Sequence, residues 1–392
     1  MFRFLTAGES HGPALTIIVD GLPAGLPVTA ASINADLRRR KQGHGRGGRM
    51  AIETDEVKIL GGVRLGRTLG GPVAMQIDNL DWPDWSEAMS VEPPPPGSTD
   101  AALRRVRHPR PGHADLAGAL KYDTHDVRDV LERSSARETT SRVAAGALAR
   151  RFLARFGIEI ASHTLAVGSV AISREAEVAW ERIAAIPPDS PLRCVDPAVQ
   201  QAMIDEVDRA RAAKDSLGGV FQVAARGVPP GLGSSRLWDT RLEARLGQAL
   251  LSIHAVKAVE IGDGIAAAGC PGSKVHDEIH YDDAGRRFHR RTNRAGGIEG
   301  GMTNGEEIRA TAYLKPLSTL PRPLQSVDLV DKRAVGAVVE RTDTCVVPAA
   351  GVIGEAMTAI VLTEAFLEKF GGDSVGEVER NHRGYLEQLE AF

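Results

Sequence analysis

Cysteine is scarce in this chain of 392 residues, which has only Cys194, Cys270 and Cys345. They are odd in number, far apart and without a CxxC pair, which disfavours a zinc site or a disulfide framework. We therefore predict a protein of a reducing compartment in which the cysteines are small buried side chains and no metal is bound.

Long apolar runs and an excess of one charge are also lacking. No basic N-terminal segment precedes an apolar run, and no stretch approaches the ~18 to 20 apolar residues of a membrane span. The 48 basic and 51 acidic side chains give a net charge of -3, so no overall field attracts nucleic acid. These features predict a globular cytoplasmic protein that binds neither membrane nor nucleic acid.

Residues 8–12, GESHG, form the Gly-x-Ser-x-Gly pattern of many serine hydrolases. A nucleophile elbow requires a strand before the serine and a helix after it. Here the next segment, ALTIIVDG, is rich in β-branched residues and ends in an Asp-Gly turn, which predicts a strand. GESHG should therefore join two strands in a hairpin. Ser10 is then not a nucleophile, and His11 is left without an explanation.

Strand-like segments come in groups instead of alternating with helices, which favours an α+β fold with antiparallel sheets. Helices are predicted at residues 32–41, 135–156, 198–213, 241–258 and 350–370. Ser32 is expected to cap the first helix, and Ser135 with Glu138 to form a capping box for the second. The four prolines of residues 93–96 must lie in a surface loop.

Arginine and glycine are concentrated in RRRKQGHGRGGRM, which places Arg40, Arg46 and Arg49 where backbone N–H groups can also approach an anion. The planar guanidinium binds phosphate or carboxylate through two parallel hydrogen bonds. A solvated basic loop or an RNA-binding patch is the alternative. Against RNA, no aromatic residues are interleaved with these arginines.

Two central segments are further candidates for chemistry. HPRPGHAD places His113 in a rigid turn, although a lone loop histidine is more often solvent-exposed than catalytic. ERSSARET places Arg133 and Arg137 with Ser134 and Ser135 at the start of a predicted helix, where unpaired N–H groups favour an anion. Helix capping would account for Ser135 but not for the two arginines.

The C-terminal half contributes two more candidates. TNRAGGIEGGMTNGEE is rich in glycine, so it either lets a flat ligand lie against the backbone or is a flexible loop. RTDTCVVPAAGVIGEAM places Arg341 and Asp343 before a helix that begins with proline. That carboxylate is either half of an ion pair or a base in an active site.

Nine short blocks of the sequence resemble the chorismate synthase family and occur in the family's order. They are TAGESHG, GRGGRM, TLGGP, RPGHAD, ERSSARET, VEIGDG, NRAGGIEGGMTNG, KPLST and RTDTCVVPAAG. The resemblance runs from Thr6 to beyond Asp373. It implies a carbon–oxygen lyase that removes phosphate from 5-enolpyruvylshikimate-3-phosphate to give chorismate, the last common step of aromatic amino acid biosynthesis. The family uses reduced FMN without net redox change.

The resemblance also implies roles for individual residues. His11 is the acid near the departing phosphate, His113 protonates or hydrogen-bonds the reduced flavin, and Asp343 assists the flavin N5 nitrogen in taking the hydrogen. The substrate is held by a set of polar side chains: Ser10, Arg40, Arg46, Arg49, Arg137 and Arg341. Positions that match flavin contacts are Arg133, Ser134, Ser135, His254, Ala255, Gly301, Lys315, Pro316, Leu317, Ser318, Thr319 and Arg341.

Three positions depart from the family's usual pattern. His44 and Leu116 stand where tyrosine is common, and His254 stands where glutamine is common. The changes remove no acid, base or arginine of the set. The His254 change bears on the edge of the expected flavin site.

The family fold is a sandwich of antiparallel sheets enclosing central helices, in a homotetramer. We therefore expect one domain over residues 1–392, with a mobile proline-rich surface loop near 85–105. Because no GxGxxG motif lies between a strand and a helix, we expect NADPH to act only indirectly, through an external flavin reductase. Arg40 and Arg46 are accordingly assigned to substrate anions. The rival hypotheses are a serine hydrolase, a flavin oxidoreductase and a nucleic-acid-binding module.

Overall fold

Two antiparallel β-sheets enclose a layer of helices, which confirms the predicted α+β class and sandwich architecture. The structure, a computed structural model, describes residues 2–48, 52–173 and 178–392. The first sheet buries one face against the helices, because apolar side chains recur at every second position of two of its strands, whereas strands of the second sheet are buried at consecutive residues.

The N-terminal strands form the first sheet and a small hairpin beside it. They are β1 (Arg3–Ala7), β2 (Ala14–Asp20), β3 (Val57–Gly61), β4 (Val63–Arg64), β5 (Arg67–Thr68) and β6 (Val73–Asp78). The strand order of the sheet is β1-β2-β6-β3. In β2, Leu15, Ile17 and Val19 are buried beneath the helices. Because β1 and β2 pair antiparallel, GESHG lies in the predicted hairpin loop.

The later strands form the second sheet and three two-stranded hairpins. They are β7 (Glu159–Val167), β8 (Val170–Ala171), β9 (Gly219–Arg226), β10 (Val256–Ile261), β11 (Ile279–Asp282), β12 (Arg287–Arg290), β13 (Ile298–Glu299), β14 (Met302–Thr303), β15 (Ile308–Leu314), β16 (Gln325–Val327) and β17 (Ala334–Gly336). The order of the second sheet is β10-β15-β9-β7-β8. Phe221 and Val223 of β9 are buried on its inner face.

The helices fill the space between the sheets and cover the ends. They are α1 (Ala30–Lys41), α2 (Asp115–Tyr122), α3 (Arg128–Leu131), α4 (Thr139–Ala154), α5 (Trp180–Ala184), α6 (Pro197–Ala212), α7 (Leu242–Leu251), α8 (Gly264–Ala267), α9 (Gly272–Val275), α10 (Val347–Phe370) and α11 (Val375–Ala391). Helices α4 and α10 pack against each other at the centre, with the first sheet next to α4 and the second next to α10.

Helix α10 is buried along almost its whole length. Gly146 of α4 permits the close crossing, because a Cβ there would lie 2.4 Å from the Cβ of Ala356. The expectation that no segment is apolar enough to span a membrane was wrong, since Val347–Phe370 is long and apolar enough to do so. Within the fold, 89% of its most apolar window is buried, as in the core helix of a globular protein.

The starts of two helices differ from the prediction. Thr29, not Ser32, caps α1: the Thr29 hydroxyl accepts from the Ser32 N–H, and the Ser32 hydroxyl accepts from the Thr29 N–H. Ser135 does not form the predicted capping box, because its hydroxyl accepts from the Arg137 N–H and opens a 3-10 turn ahead of α4.

The C-terminal helices also differ in extent. The helix predicted at 241–258 ends at Leu251, because the chain turns at Ala255, with φ of 67°, and enters β10. The last helix, Val375–Ala391, was not predicted. The Ser374 hydroxyl caps it by accepting from the Glu377 N–H.

One buried carboxylate connects several of these elements. Glu355 of α10, fully buried, accepts two 2.7 Å hydrogen bonds from Arg39 of α1 and one of 2.7 Å from Ser162 of β7. Arg150 of α4 and Arg193 lie 3.4 and 3.5 Å away. Burial would raise the pKa of Glu355, but the three arginines lower it to about 2.

Replacing this carboxylate should destabilise the fold. For Glu355→Gln we expect the free energy of unfolding at pH 7 to fall by about 3 to 5 kcal/mol, because three arginines lose a shared, fully buried anion. The folded-state pKa lies below the ordinary value of 4.5, so this stabilisation is present above pH 4.5 and is lost as pH falls towards 2. Urea unfolding across this range tests it, with the exposed Glu159→Gln as control. Equal losses in the two variants would contradict the prediction.

Candidate active site

A cavity of about 410 Å³ opens where the β1–β2 loop, the start of α10 and several connecting loops meet. The predicted site residues that line it are Ser10, His11, Arg40, Arg46, His113, Ser134, Ser135, Arg137, His254, Ala255, Lys315, Leu317, Ser318, Thr319, Arg341 and Asp343. Segments far apart in sequence thus meet at one site. Of the six motif regions discussed above, five contribute lining residues and the glycine-rich segment TNRAGGIEGGMTNGEE does not.

Four predicted residues are not placed at the cavity. Arg133 donates instead to the backbone carbonyls of Thr6 and Gly8, at 2.9 and 3.1 Å, and so supports the hairpin loop. Pro316 is not among the lining residues, and the carbonyl of Gly301 accepts from the N–H of Leu242 at the start of α7. Arg49 lies outside the described residues.

The buried ring of His11 is held on three sides. Its Nδ1 lies 2.9 and 3.0 Å from the two carboxylate oxygens of Glu132, and its backbone N–H donates to Glu132 Oε2 at 2.8 Å. The ring stacks on Trp85, with centroids 3.8 Å apart and planes 20° apart. Nε2 lies 3.5 Å from Nη2 of Arg341 and 4.0 Å from Asp81 Oδ2. Arg341 also forms an ion pair with Asp81.

His113 is also paired with a carboxylate. Its Nδ1 contacts Asp115 Oδ1, and Asp115 is fully buried at the start of α2. Arg110 donates to the two oxygens of Asp115 at 2.8 and 3.1 Å, and to the Thr319 hydroxyl at 2.7 Å. Burial would raise the pKa of Asp115, but the hydrogen bonds from His113 and Arg110 hold it well below its usual range.

Arg40 and Arg137 form a buried wall of guanidinium groups, called here the arginine wall. Arg137 forms an ion pair with Asp55 and lies 3.3 Å from Glu53 Oε2, while Arg40 donates to the Thr139 hydroxyl at 3.0 Å. Burial, together with Arg46 and Arg137, lowers the pKa of Arg40 to about 10, although Asp55 and Asp343 oppose the shift. Arg40 remains charged at neutral pH, in surroundings where a bound anion would relieve the repulsion.

Asp343 lies at the other end of this wall. Its carboxylate contacts Arg46 at 2.9 Å and accepts from the Gly47 N–H at 2.5 Å. The glycine is required, because a Cβ at residue 47 would lie 2.4 Å from the carbonyl oxygen of Thr342. The arginine loop therefore packs directly against the chain that carries Asp343.

Comparisons with known proteins agree with this geometry. The family model for chorismate synthase matches residues 2–367. The chorismate synthases of Solibacter usitatus and Geobacter sulfurreducens are 54% and 53% identical to the chain, with 100% of each protein covered. A crystal structure of chorismate synthase superimposes with a TM-score of 0.80 at 39% identity, covering 100% of this chain and 99% of that one.

The chain belongs to the chorismate synthase family. Members of this family are lyases, which confirms the resemblance and the enzyme class inferred from the nine blocks.

Several residues at this cavity were not identified in the sequence. Glu132, Asp81 and Trp85 surround His11, and Glu53 with Asp55 pairs with the arginine wall. Glu132 begins the ERSSARET block, so it was within a recognised motif. Trp85 lies at the start of the loop predicted near 85–105 and Asp81 lies just before it, where no periodicity marks a residue that turns inward.

His254 lies at the cavity in a setting that excludes its charged form. Burial lowers its pKa to about 4, with Arg142, His113 and Arg40 acting in the same direction and Glu138 opposing them. His254 is therefore neutral at physiological pH. Its departure from the family's usual glutamine thus places an uncharged polar side chain at the same position.

The neutral, partly buried His254 should make stability depend on pH. Its folded-state pKa of about 4 lies below the ordinary 6.5, so the unfolded chain binds the extra proton as pH falls and stability is lost. For His254→Gln we expect that, relative to the parent, stability rises by about 2 kcal/mol between pH 7.5 and pH 5. Urea unfolding at both values measures this, with the exposed His125→Gln as control. A difference that stays constant with pH would refute it.

Proposed function

We propose that this enzyme catalyses the 1,4-anti elimination of phosphate from 5-enolpyruvylshikimate-3-phosphate, with reduced FMN and no net redox change. The observation that carries the proposal is the convergence of His11, His113 and Asp343 with buried arginines on one cavity. The reaction breaks the bond from C3 to the phosphate oxygen and the C6–H bond, which requires anion binding, a proton donor and a proton acceptor in one place.

The arginines support the binding of a substrate with several negative charges. Arg40, Arg46, Arg137 and Arg341 all line the cavity, and in the structure each one contacts or approaches a carboxylate. A phosphate or carboxylate of the substrate would share these guanidinium groups. We assign Ser10, next to His11, to the same substrate and not to nucleophilic attack.

His11 is assigned as the acid. Its ring is buried beside Arg341, at the place where a phosphate held by that arginine would lie. Protonation of the departing phosphate oxygen lowers the barrier to its loss, as positioned acids do in general. Asp343 and His113 are assigned to the cofactor side, where they hold or accept a proton.

The cavity fits the expected cofactor. Its volume of about 410 Å³ lies within the range of small-molecule sites. Lys315 has no ion-pair partner among the described residues. Its burial and the positive charge of the nearby Lys257 both lower its pKa, so an anion bound beside it would be favourable. The hydroxyls of Ser134, Ser135 and Ser318 and the apolar side chain of Leu317 complete a site for a ring with a phosphate tail. Reduced FMN, when bound, would supply electron density as phosphate leaves and recover it as hydrogen is lost.

One anaerobic assay tests the proposed reaction. Enzyme, 5-enolpyruvylshikimate-3-phosphate and chemically reduced FMN should release phosphate and chorismate in equal amounts, whereas oxidised FMN should give neither. Release of phosphate without reduced flavin would favour a hydrolase, and net oxidation of the flavin in step with product would favour an oxidoreductase. Absence of chorismate with reduced FMN would defeat the proposal.

Removing the acid should affect turnover more than binding. For His11→Ala we expect kcat to fall by about 100- to 10,000-fold with a much smaller change in KM, because the proton is needed in the transition state. Steady-state kinetics under anaerobic conditions measure both constants. The exposed His125→Ala serves as the control, and an unchanged kcat in His11→Ala would disprove the assigned role.

Removing the unpaired lysine should weaken cofactor binding. For Lys315→Met we expect the Kd of FMN to rise by at least about tenfold, since a charge-assisted hydrogen bond to phosphate contributes about 1.5 to 3 kcal/mol. Flavin fluorescence titration measures the Kd, with the exposed Lys274→Met as control. An unchanged Kd would place the phosphate elsewhere.

We propose the remaining features of the family for this chain because of its similarity to family members. We propose one domain, a homotetramer, and a supply of reduced FMN from an external reductase that uses NADPH. The free cysteines, two of them buried, support a reducing, cytoplasmic compartment. We also propose that the proline-rich loop near 85–105 is mobile, except at Trp85, whose buried ring stacks on His11. Analytical ultracentrifugation tests the tetramer, and NADPH oxidation by the enzyme with FMN alone would contradict the need for a reductase.

A further inference from the structure

The carboxylate of Glu132 is surrounded by hydrogen-bond donors. It accepts from the backbone N–H of His11 at 2.8 Å and from Nη1 of Arg128 at 3.0 Å, while His11 Nδ1 lies 2.9 Å from Oε1. The side chain of Glu132 is 2% exposed and that of His11 is 9% exposed. With water largely excluded, these protein groups must satisfy the carboxylate.

This arrangement selects one form of the imidazole. Burial would raise the pKa of Glu132, but His11 and Arg128 keep it lowered, so the group is ionised and can only accept. Nδ1 must therefore carry a proton, and Nε2 is left as the ring nitrogen that faces Arg341 and Asp81. The stack on Trp85 fixes the plane of the ring.

We propose that Glu132 is the positioning residue of the reaction: it holds His11 with Nδ1 protonated and directs Nε2 to the substrate. The inference rests on the proposed role of His11 as the acid. Glu132 does not touch substrate and exchanges no proton with it. Its effect is to keep one ring nitrogen occupied, so that the proton to be delivered is always the one on Nε2.

An isosteric change isolates this role. In Glu132→Gln the side chain keeps its size, but one of its two acceptors becomes an NH2 donor among three existing donors. The amide cannot accept from the backbone N–H, from Arg128 and from Nδ1 with one oxygen. The NH2 group will face Nδ1 in part of the molecules, and the neutral ring will then move its proton to Nε2.

The direct readout is the tautomer of His11. Solid-state 15N NMR of ring-labelled histidine, with the His11 signals identified by their loss in His11→Ala, should show only the Nδ1–H form in the parent above the titration range. Glu132→Gln should show a mixture or the Nε2–H form. Asp129→Asn makes the same charge change three residues away on an exposed side chain and should leave the signals unchanged. An unchanged tautomer in Glu132→Gln overturns the inference.

The kinetic readout is a double-mutant cycle. Glu132→Gln should lower kcat by roughly 10- to 100-fold with little change in KM, the loss typical when a carboxylate that orients a functional histidine is removed. In a His11→Ala background the same change should have almost no further effect. Equal losses in both backgrounds would overturn the inference, because Glu132 would then act independently of His11.

Two further variants separate the possible outcomes. Glu132→Asp keeps the negative charge on a side chain that is one methylene shorter. It should therefore retain the Nδ1–H form and have a kcat between those of Glu132→Gln and the parent. If Glu132→Gln does not fold, Glu132→Asp supplies the test, and wild-type kcat there overturns the inference. If His11→Ala keeps full turnover, the acid role fails, yet the tautomer measurement still decides whether Glu132 orients the ring.

Discussion

Burial of arginine governs this structure. A guanidinium cannot be removed from water unless anions and hydrogen-bond acceptors surround it, and the fold supplies them from distant parts of the chain. In the core, Glu355 joins arginines from α1 and α4 with β7. At the cavity, Asp55 lies between Arg40 and Arg137. The positions of α1, α4 and α10 are thus fixed by charge as well as by apolar packing.

The two groups of arginines differ in where they lie, and this difference creates the site. Around Glu355, three arginines share one fully buried carboxylate in the core and lower its pKa to about 2. Arg40 and Arg137 instead line the cavity, where Asp55 and Glu53 lie beside them and burial lowers the pKa of Arg40 to about 10. Among the described residues, Arg40 Nη1 and Arg137 Nη2 have no hydrogen-bond partner, so a substrate with phosphate and carboxylate groups could satisfy them.

The sequence allowed the arginines and histidines of the site to be predicted, because they lie in short blocks with recognisable order. Their partners could not be found in this way. Glu132 is 121 residues from His11, and the pairing exists only because α3 packs beneath the β1–β2 loop. Local propensity also failed where tertiary structure determines the backbone. Ala255 turns the chain into β10 with a positive φ that no pattern around an alanine suggests.

The glycines of the GESHG loop do not form a nucleophile elbow. They allow a tight hairpin loop. Gly8 has φ of 105°, and a Cβ there would lie 2.4 Å from the carbonyl oxygen of Ala14, so glycine closes the hairpin. The loop is then fastened from both sides: the Ser10 N–H donates to the Glu132 carbonyl, and the Asn79 amide donates to the carbonyls of Glu9 and Gly12. A loop held at successive residues keeps the His11 backbone in one place. The orientation of the ring is then set by Glu132 and Trp85, with Arg341 and Asp81 beside Nε2, so a hairpin loop can position an acid.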